Sequence, residues 1–310
     1  MNSDAHAAER SVASSARHHN AGAGMTVMRY LVMTKPAVWG SLTLTAVIGY
    51  MTGSLLVHQL SVMRLLVVAA ALAAGTSGCE SLTNFIDIPV DRVMKRTASR
   101  PLPSGEIAGD NAVVMGLVLV VAAIALSSFL GAVFTVLMGL GIFDNVVVYS
   151  FLLKRRTPQN ILWGGFSGAI PVAYGFLASA PAYTLVALLL FVLVFTWTPP
   201  HIWSLSVELK EDYRRAGIPM LPVVSSKNVW GTAVALFSAI TIAVTLFIVI
   251  AMGITVMLLP LVALDSLFVY ALLKLLLTPE RSAHMFFMFT NVYLFLILLL
   301  FMTGAIALRL

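Results

Sequence analysis

The chain is short of nearly everything a water-soluble protein of its length uses to cover itself. Only 10% of its 310 residues are charged, 13 acids against 19 Lys and Arg. That is too little polar surface to coat a domain of this size in water. It holds one cysteine, Cys79, which excludes an intrachain disulfide framework; inside its apolar run Cys79 reads as a small buried hydrophobe. No internal repeat is evident. The first 24 residues include Asp4, Glu9, Arg10, Arg17, His18 and His19 but no apolar core stretch, so they do not read as a secretory signal peptide. Their Ala, Ser and Arg content would suit an organelle transit peptide, and the two acids count against it. Residues 1–24 are expected to be a disordered cytoplasmic tail, and residues 25–310 a single transmembrane domain.

What is there is apolar: 60% hydrophobic residues and a mean hydropathy of +0.96. Nine stretches can each supply about 20 helical residues, the length that crosses a bilayer. They fall near 37–57, 62–86, 111–130, 132–153, 160–179, 182–206, 229–251, 254–277 and 285–308. The sequence thus predicts an all-α polytopic membrane protein, a bundle of nine transmembrane helices. The joins at 131, 180–181 and 252–253 are so short that those neighbours must be antiparallel.

Nine spans put the chain ends on opposite sides, and the basic residues say which is which. Seventeen of the 19 Lys and Arg fall on the amino-terminal side, leaving Arg64 and Arg309 opposite. By the positive-inside rule the amino terminus is cytoplasmic. The cytoplasmic membrane is the expected location, ahead of a mitochondrial inner membrane. Orientation does not explain why acids gather in the same loops. Asp87, Asp91, Glu106 and Asp110 surround the loop after the second span, and Glu208, Glu211 and Asp212 follow the sixth.

On a helix, Glu80, Asn84, Asp87 and Asp91 step by four, three and four residues and share an arc of about 60°. Two carboxylates one turn apart with an amide beside them suit Mg²⁺, which takes oxygen ligands and is usually shared with substrate phosphates. Pro89 faces the other way and predicts a kink or helix end. Downstream, Arg92, Lys95, Arg96 and Arg100 supply cations for phosphate oxygens. The stretch "ELKEDYRR" at 208–215 repeats the recipe, with Glu208 and Asp212 one turn apart and Lys210, Arg214 and Arg215 alongside. "LKRRTPQN" adds a third basic loop with Lys154, Arg155 and Arg156. Two facing acid sets, Asp87 with Asp91 and Glu208 with Asp212, would each hold a metal on one diphosphate. The bland alternative for either loop alone is a solvated salt-bridge network.

Other residues keep two readings. Asp144, Asn145 and Asp265 either bond helix to helix or line a substrate cavity. Gly164, Gly165 and Gly168 read as a close-packing stripe. His201, after "WTPP", either ligates a haem iron or caps a broken helix. Tyr149, Tyr174 and Trp197 either pack or present aromatic faces to a cation.

"NFIDIPVDRVMKRTASRPLPSG" at 84–105 resembles the first Asp-rich motif of the UbiA superfamily of intramembrane prenyltransferases. With "LKRRTPQNILWGGFSGAIPVAYGFLA" and "WTPPHIWSLSVELKEDYRRAGIPMLPVV" it is similar to the protohaem IX farnesyltransferase (haem O synthase) branch, from about residue 30 onward. The resemblance implies a site open to the cytoplasm, with Mg²⁺ as cofactor and farnesyl diphosphate and protohaem IX as substrates. It implies metal-diphosphate binding by Asn84, Asp87, Asp91, Lys210 and Asp212. It also places Arg96, Arg100, Lys154, Arg155 and Arg156 near the diphosphate or the haem propionates, and His201 at the family's His after Pro-Pro. Besides the bilayer, a haem A synthase or oxidase assembly factors are the expected partners, and no nucleic acid is. The chain departs from the usual N-Y-I-D-R-D-I-D, with Ile88 for Arg and Pro89 for the third acid. Glu208 and Leu209 stand where Tyr and Arg are usual, and Ala37 follows "TKP" in place of Arg. Glu208 is expected to compensate for the acid lost at 89. The rival readings are a UbiA-type prenyltransferase acting on a quinone precursor or lipid, and a transporter. Transport would need polar residues reaching both faces, and here they crowd one.

Overall fold

In a computed structural model the described residues, 27–308, fold entirely into helices and loops, with no strand among them. A short helix α1 (Val27–Met33) meets α2 (Pro36–Leu56) at 63°. The bend is made at Lys35, whose φ of 52° puts it in the left-handed region, and Pro36 then starts α2 at a position that needs no amide hydrogen. The chain continues through α3 (Val62–Asp91), α4 (Gly109–Ser128), α5 (Ala132–Phe143, running on as a π-helix over Asp144–Leu153), α6 (Asn160–Ser179) and α7 (Thr184–Glu208). Two short helices, α8 (Lys210–Arg215) and α9 (Leu221–Val224), precede α10 (Lys227–Ala251), α11 (Leu258–Leu277) and α12 (Pro279–Ala307). Eight helices of the described residues are long and apolar enough to cross a membrane, and the bent pair α1/α2 makes a ninth.

The nine expected stretches all become helices, with differences at the polar ends. α3 runs on through Pro89 to Asp91. A proline so near a helix end removes one backbone bond and little more. α12 begins at Pro279, six residues before its expected start, because the polar turn ERSAH is helical although it is not apolar. The expected tail, residues 1–24, and Arg309 lie outside the described residues.

Packing follows small residues. A Cβ on Gly175 of α6 would sit 1.9 Å from the Ala46 carbonyl oxygen of α2, so only glycine allows these two backbones to touch. One turn away along α2, a Cβ on Gly49 would lie 2.4 Å from the Val172 oxygen. In lipid this close approach replaces the hydrophobic drive between helices. Of the expected stripe, Gly164 lies against the Tyr149 ring, where a Cβ would come within 2.6 Å, and a Cβ on Gly165 would make ordinary contact with Thr198, while Gly168 faces open space. The larger buried cluster joins α6, α7, α10, α11 and α12, and a second one joins α2 to α6. The loops 92–108, 154–159 and 209–226 come together at one end of the bundle, the basic end.

Candidate active site

Asn84, Asp87 and Asp91 leave one face of α3 where it reaches the basic end, and all three are buried, at 4%, 3% and 7% exposure. Carboxylates so deep need counter-charges. Lys154 sets its ammonium directly on Asp87 Oδ2. The Arg155 guanidinium lies 3.9 Å from Oδ1 of the same carboxylate and donates to the Ile86 carbonyl at 2.7 Å. Arg100 reaches to 3.6 Å from Asp91. One turn earlier, Glu80 accepts from Lys35 at 2.7 Å, tying the α1/α2 bend to this face. Asn84 donates to the Met33 carbonyl at 2.5 Å, closing the same corner.

The π-helix explains why Lys154 arrives here. Its five-residue step is closed by the Lys154 amide donating to the Tyr149 carbonyl at 2.7 Å. Tyr149 and Lys154 therefore share a face, with the ammonium 5.7 Å from the ring centroid. π-helical bonding inside a longer helix recurs at functional sites, and here it runs for ten residues, over Asp144–Leu153. Burial opposes the charge on Lys154, yet Tyr149 and Asp87 hold its pKa above the usual lysine value. Burial lowers the Arg100 pKa against the pull of Asp91. Both cations are thus partly desolvated and poised for an anion.

The second acid motif closes over this mouth. After Glu208 the chain bends at Leu209 and restarts as α8, turning Tyr213 inward to 7% exposure. Tyr213 feels the charges of Arg96, Lys154, Asp91 and Asp212 together, so residues from three loops meet around one phenol. The side chains of Lys95, Arg156 and Lys210 form no hydrogen bond or ion pair among the described residues. Other candidates turn elsewhere. Arg92 donates to the Pro103 carbonyl of its own loop at 3.1 Å. Arg214 pairs with the exposed Glu211, and Arg215 lies 3.9 Å from Asp212. Glu208 points to α12, where its carboxylate meets His284 Nδ1 at 3.0 Å. Glu208 thus stands apart from the acids of α3, in a pairing with α12 that hydropathy and spacing could not foretell.

The profile of the UbiA prenyltransferase family matches residues 31–307. The chain belongs to the UbiA prenyltransferase family. It is 34% identical over 280 residues to a protoheme IX farnesyltransferase of Thermoplasma volcanium, covering 88% of this chain and 96% of that protein. A digeranylgeranylglyceryl phosphate synthase structure matches with a TM-score of 0.76 at 20% identity, over 91% of this chain and 99% of that one. A UbiA homologue from Archaeoglobus fulgidus, solved with GPP and Mg²⁺, matches with a TM-score of 0.59 at 16% identity, over 90% and 99% of the two chains.

The oxygen atoms of this prenyltransferase fit a divalent cation. Asn84 Oδ1 and Asp87 Oδ1, one turn apart, are both buried and accept no hydrogen bond. Orphaned buried acceptors are costly and rare, and a hard cation satisfies both at once. Among the described residues no three carboxylate, imidazole or thiolate groups converge into a closed cage. That suits an ion held by one or two carboxylates and completed by water and phosphate, as Mg²⁺ prefers.

Deeper in the prenyltransferase the remaining candidates separate. The two prolines at 199 and 200 do not break α7, so His201 does not cap a helix end. Its ring is stacked between Trp197 (4.3 Å) and Phe287 (4.4 Å), and Nδ1 meets Thr290 Oγ1 at 2.8 Å. Asp265 bonds helix to helix, accepting from Tyr293 at 2.7 Å and meeting Thr245 at 3.2 Å. Asp144 takes the Ser167 amide at 3.1 Å across to α6. Tyr174 donates to Ser127 at 2.8 Å and packs edge-on against Phe134, a structural role. Sequence reasoning missed Tyr213 and Lys35. The signal for Tyr213 was present: it is the one large apolar-bodied residue in KEDYRR, the residue such a short helix turns inward. Lys35 had none, since its role depends on a left-handed bend.

Proposed function

We propose that this enzyme transfers a farnesyl group from farnesyl diphosphate to a vinyl group of protohaem IX, giving haem O and diphosphate. The observation that carries the reading is the set of buried oxygens on Asn84 and Asp87 that accept no hydrogen bond, beside Lys154, Arg155 and Arg100, at the mouth of an apolar bundle. A prenyl diphosphate has both halves of that description: an anionic head and a long apolar tail. The name carried by the Thermoplasma volcanium relative supports protohaem as the acceptor and farnesyl as the group transferred.

Asn84, Asp87 and Asp91, with Asp212 from the second motif, would hold Mg²⁺ on the diphosphate. When bound, the ion supplies charge neutralisation to the leaving group. The protein's own residues do the rest. Lys154, Arg155, Arg100 and Arg96 orient the head group and counter its charge as the allylic C–O bond lengthens. The unpaired cations Lys95, Arg156 and Lys210 provide further contacts for phosphate or for haem propionates. The apolar interior keeps water from the allylic cation until the vinyl carbon has attacked it, after which one water adds to give the hydroxyethyl group. His201, walled by two rings, has only its free nitrogen to offer a haem. The cytoplasmic membrane is the proposed location, and the charge asymmetry supports an orientation with the basic loops inward.

The test is incubation of the purified protein in lipid nanodiscs with haem B, farnesyl diphosphate and Mg²⁺, with mass analysis of the pigment. Haem O is the expected product. Its absence with both Mg²⁺ and Mn²⁺, while another acceptor is prenylated, overturns the haem assignment.

A further inference from the structure

The second acid motif carries a phenol beside the charges of the proposed head-group site, and among the described residues nothing bonds its hydroxyl. Tyr213 is buried at 7% exposure, with its ring in the larger core cluster. Its hydroxyl makes no hydrogen bond among the described residues. Nor is the oxygen sealed away, since it is absent from the fully enclosed polar atoms that lack a partner. The ring is anchored in the core while its oxygen keeps some access to solvent. Tyr213 lies within the electrostatic reach of Arg96, Lys154, Asp91 and Asp212, the charges of the proposed head-group site. An O–H donor left unpaired among charges is an arrangement waiting for an acceptor.

We propose that Tyr213 is a catalytic residue that donates a hydrogen bond to an oxygen of the departing diphosphate, an inference that rests on the prenyl-transfer reading above. The allylic C–O bond breaks, its electron pair stays with the diphosphate oxygen, and Tyr213 steadies that growing charge while keeping its own proton. A neutral donor suits the spot. It adds no charge beside Arg96 and Lys154 and does not repel a metal held by the carboxylates.

Tyr213→Phe tests this, because it deletes the hydroxyl and preserves both the ring packing and the backbone bond from the Ile218 amide at 3.0 Å. The farnesyl-transfer kcat should fall about 10²-fold, the usual effect of losing one donor to a developing oxyanion. Inhibition by inorganic pyrophosphate with Mg²⁺ should weaken about tenfold, as for a hydrogen bond to a charged group. The melting temperature without ligand should hold steady. Full-length protein carrying 3-fluorotyrosine at position 213 gives a second readout, its ¹⁹F resonance moving when magnesium pyrophosphate is added. Both pyrophosphate measurements are independent of the acceptor, so they stand even where no haem O is formed. The proposal is overturned by any of three results: pyrophosphate binding unchanged in Tyr213→Phe, a ¹⁹F resonance that ignores pyrophosphate, or an effect confined to the KM for haem, which would move the hydroxyl to a propionate.

Discussion

The two acid motifs look alike in sequence and are built differently. The first lies on a 30-residue helix, and its side chains are almost closed off: 5% exposed for Asp87 and 10% for Asp91. Their partners, Lys154, Arg155 and Arg100, come from other segments, so these pairs fix the α3 face against the loops at 92–108 and 154–159. The second lies on the six-residue helix α8, where Glu211 with Arg214 and Asp212 with Arg215 are pairs within one turn. Breaking a buried pair by removing one partner costs about 3–5 kcal/mol, whereas exposed pairs carry about 0–1 kcal/mol. The first motif is therefore both scaffold and grip, and the second a cover that can adjust to what is gripped.

The largest effect should come from Asp87→Ala. It strands Lys154, whose side chain is only 16% exposed, and removes one of the two buried oxygens proposed for the metal. Activity should drop at least 10³-fold, and unfolding in detergent should shift by about 3–5 kcal/mol. The double change Asp87→Asn with Lys154→Met should recover most of that stability and none of the activity. Recovery of both would make Asp87 a purely structural residue and erase the contrast between the motifs.

Next comes Asp212→Asn on α8. Its side chain, 13% exposed, is nearly as buried as that of Asp91, but its ion pair is a loose 3.9 Å contact with Arg215, itself 48% exposed, so removing the charge leaves no buried cation stranded. We expect a drop of about 10- to 100-fold in kcat/KM for the prenyl diphosphate, with the stability change held within the range of an exposed pair, about 1 kcal/mol. A stability loss as large as that of Asp87→Ala would show the second motif to be scaffold as well.

The same contrast explains what could be read in advance. Spans were legible because a bilayer demands long apolar runs, and the shared face of Asn84, Asp87 and Asp91 because helical spacing fixes it. What stayed hidden depends on meetings between distant segments. Lys154 reads as one cation in a basic loop, yet its position comes from a π turn whose five-residue bonding leaves no mark on composition. Tyr213 is one aromatic in a charged stretch until α8 turns it toward α3. The two prolines before His201 read as a break, but neighbouring helices hold α7 together across them.

Glu208 sharpens the comparison most finely. By sequence it is the acid one turn before Asp212 and the natural substitute for the carboxylate missing at Pro89. In the fold its oxygen is engaged at 3.0 Å with His284, itself 68% exposed, at the start of α12. A carboxylate turned to that partner adds no ligand to the oxygens of Asn84 and Asp87. Glu208→Gln keeps the shape and one hydrogen-bond acceptor, so activity should change less than about twofold, the scale of an exposed pair. The concentration of Mg²⁺ giving half-maximal rate should stay where it is in the wild type. Titrating Mg²⁺ against initial rate for both proteins decides the matter. A requirement several times higher in the variant would bring Glu208 off His284 and onto the metal, making the second motif a true counterpart of the first.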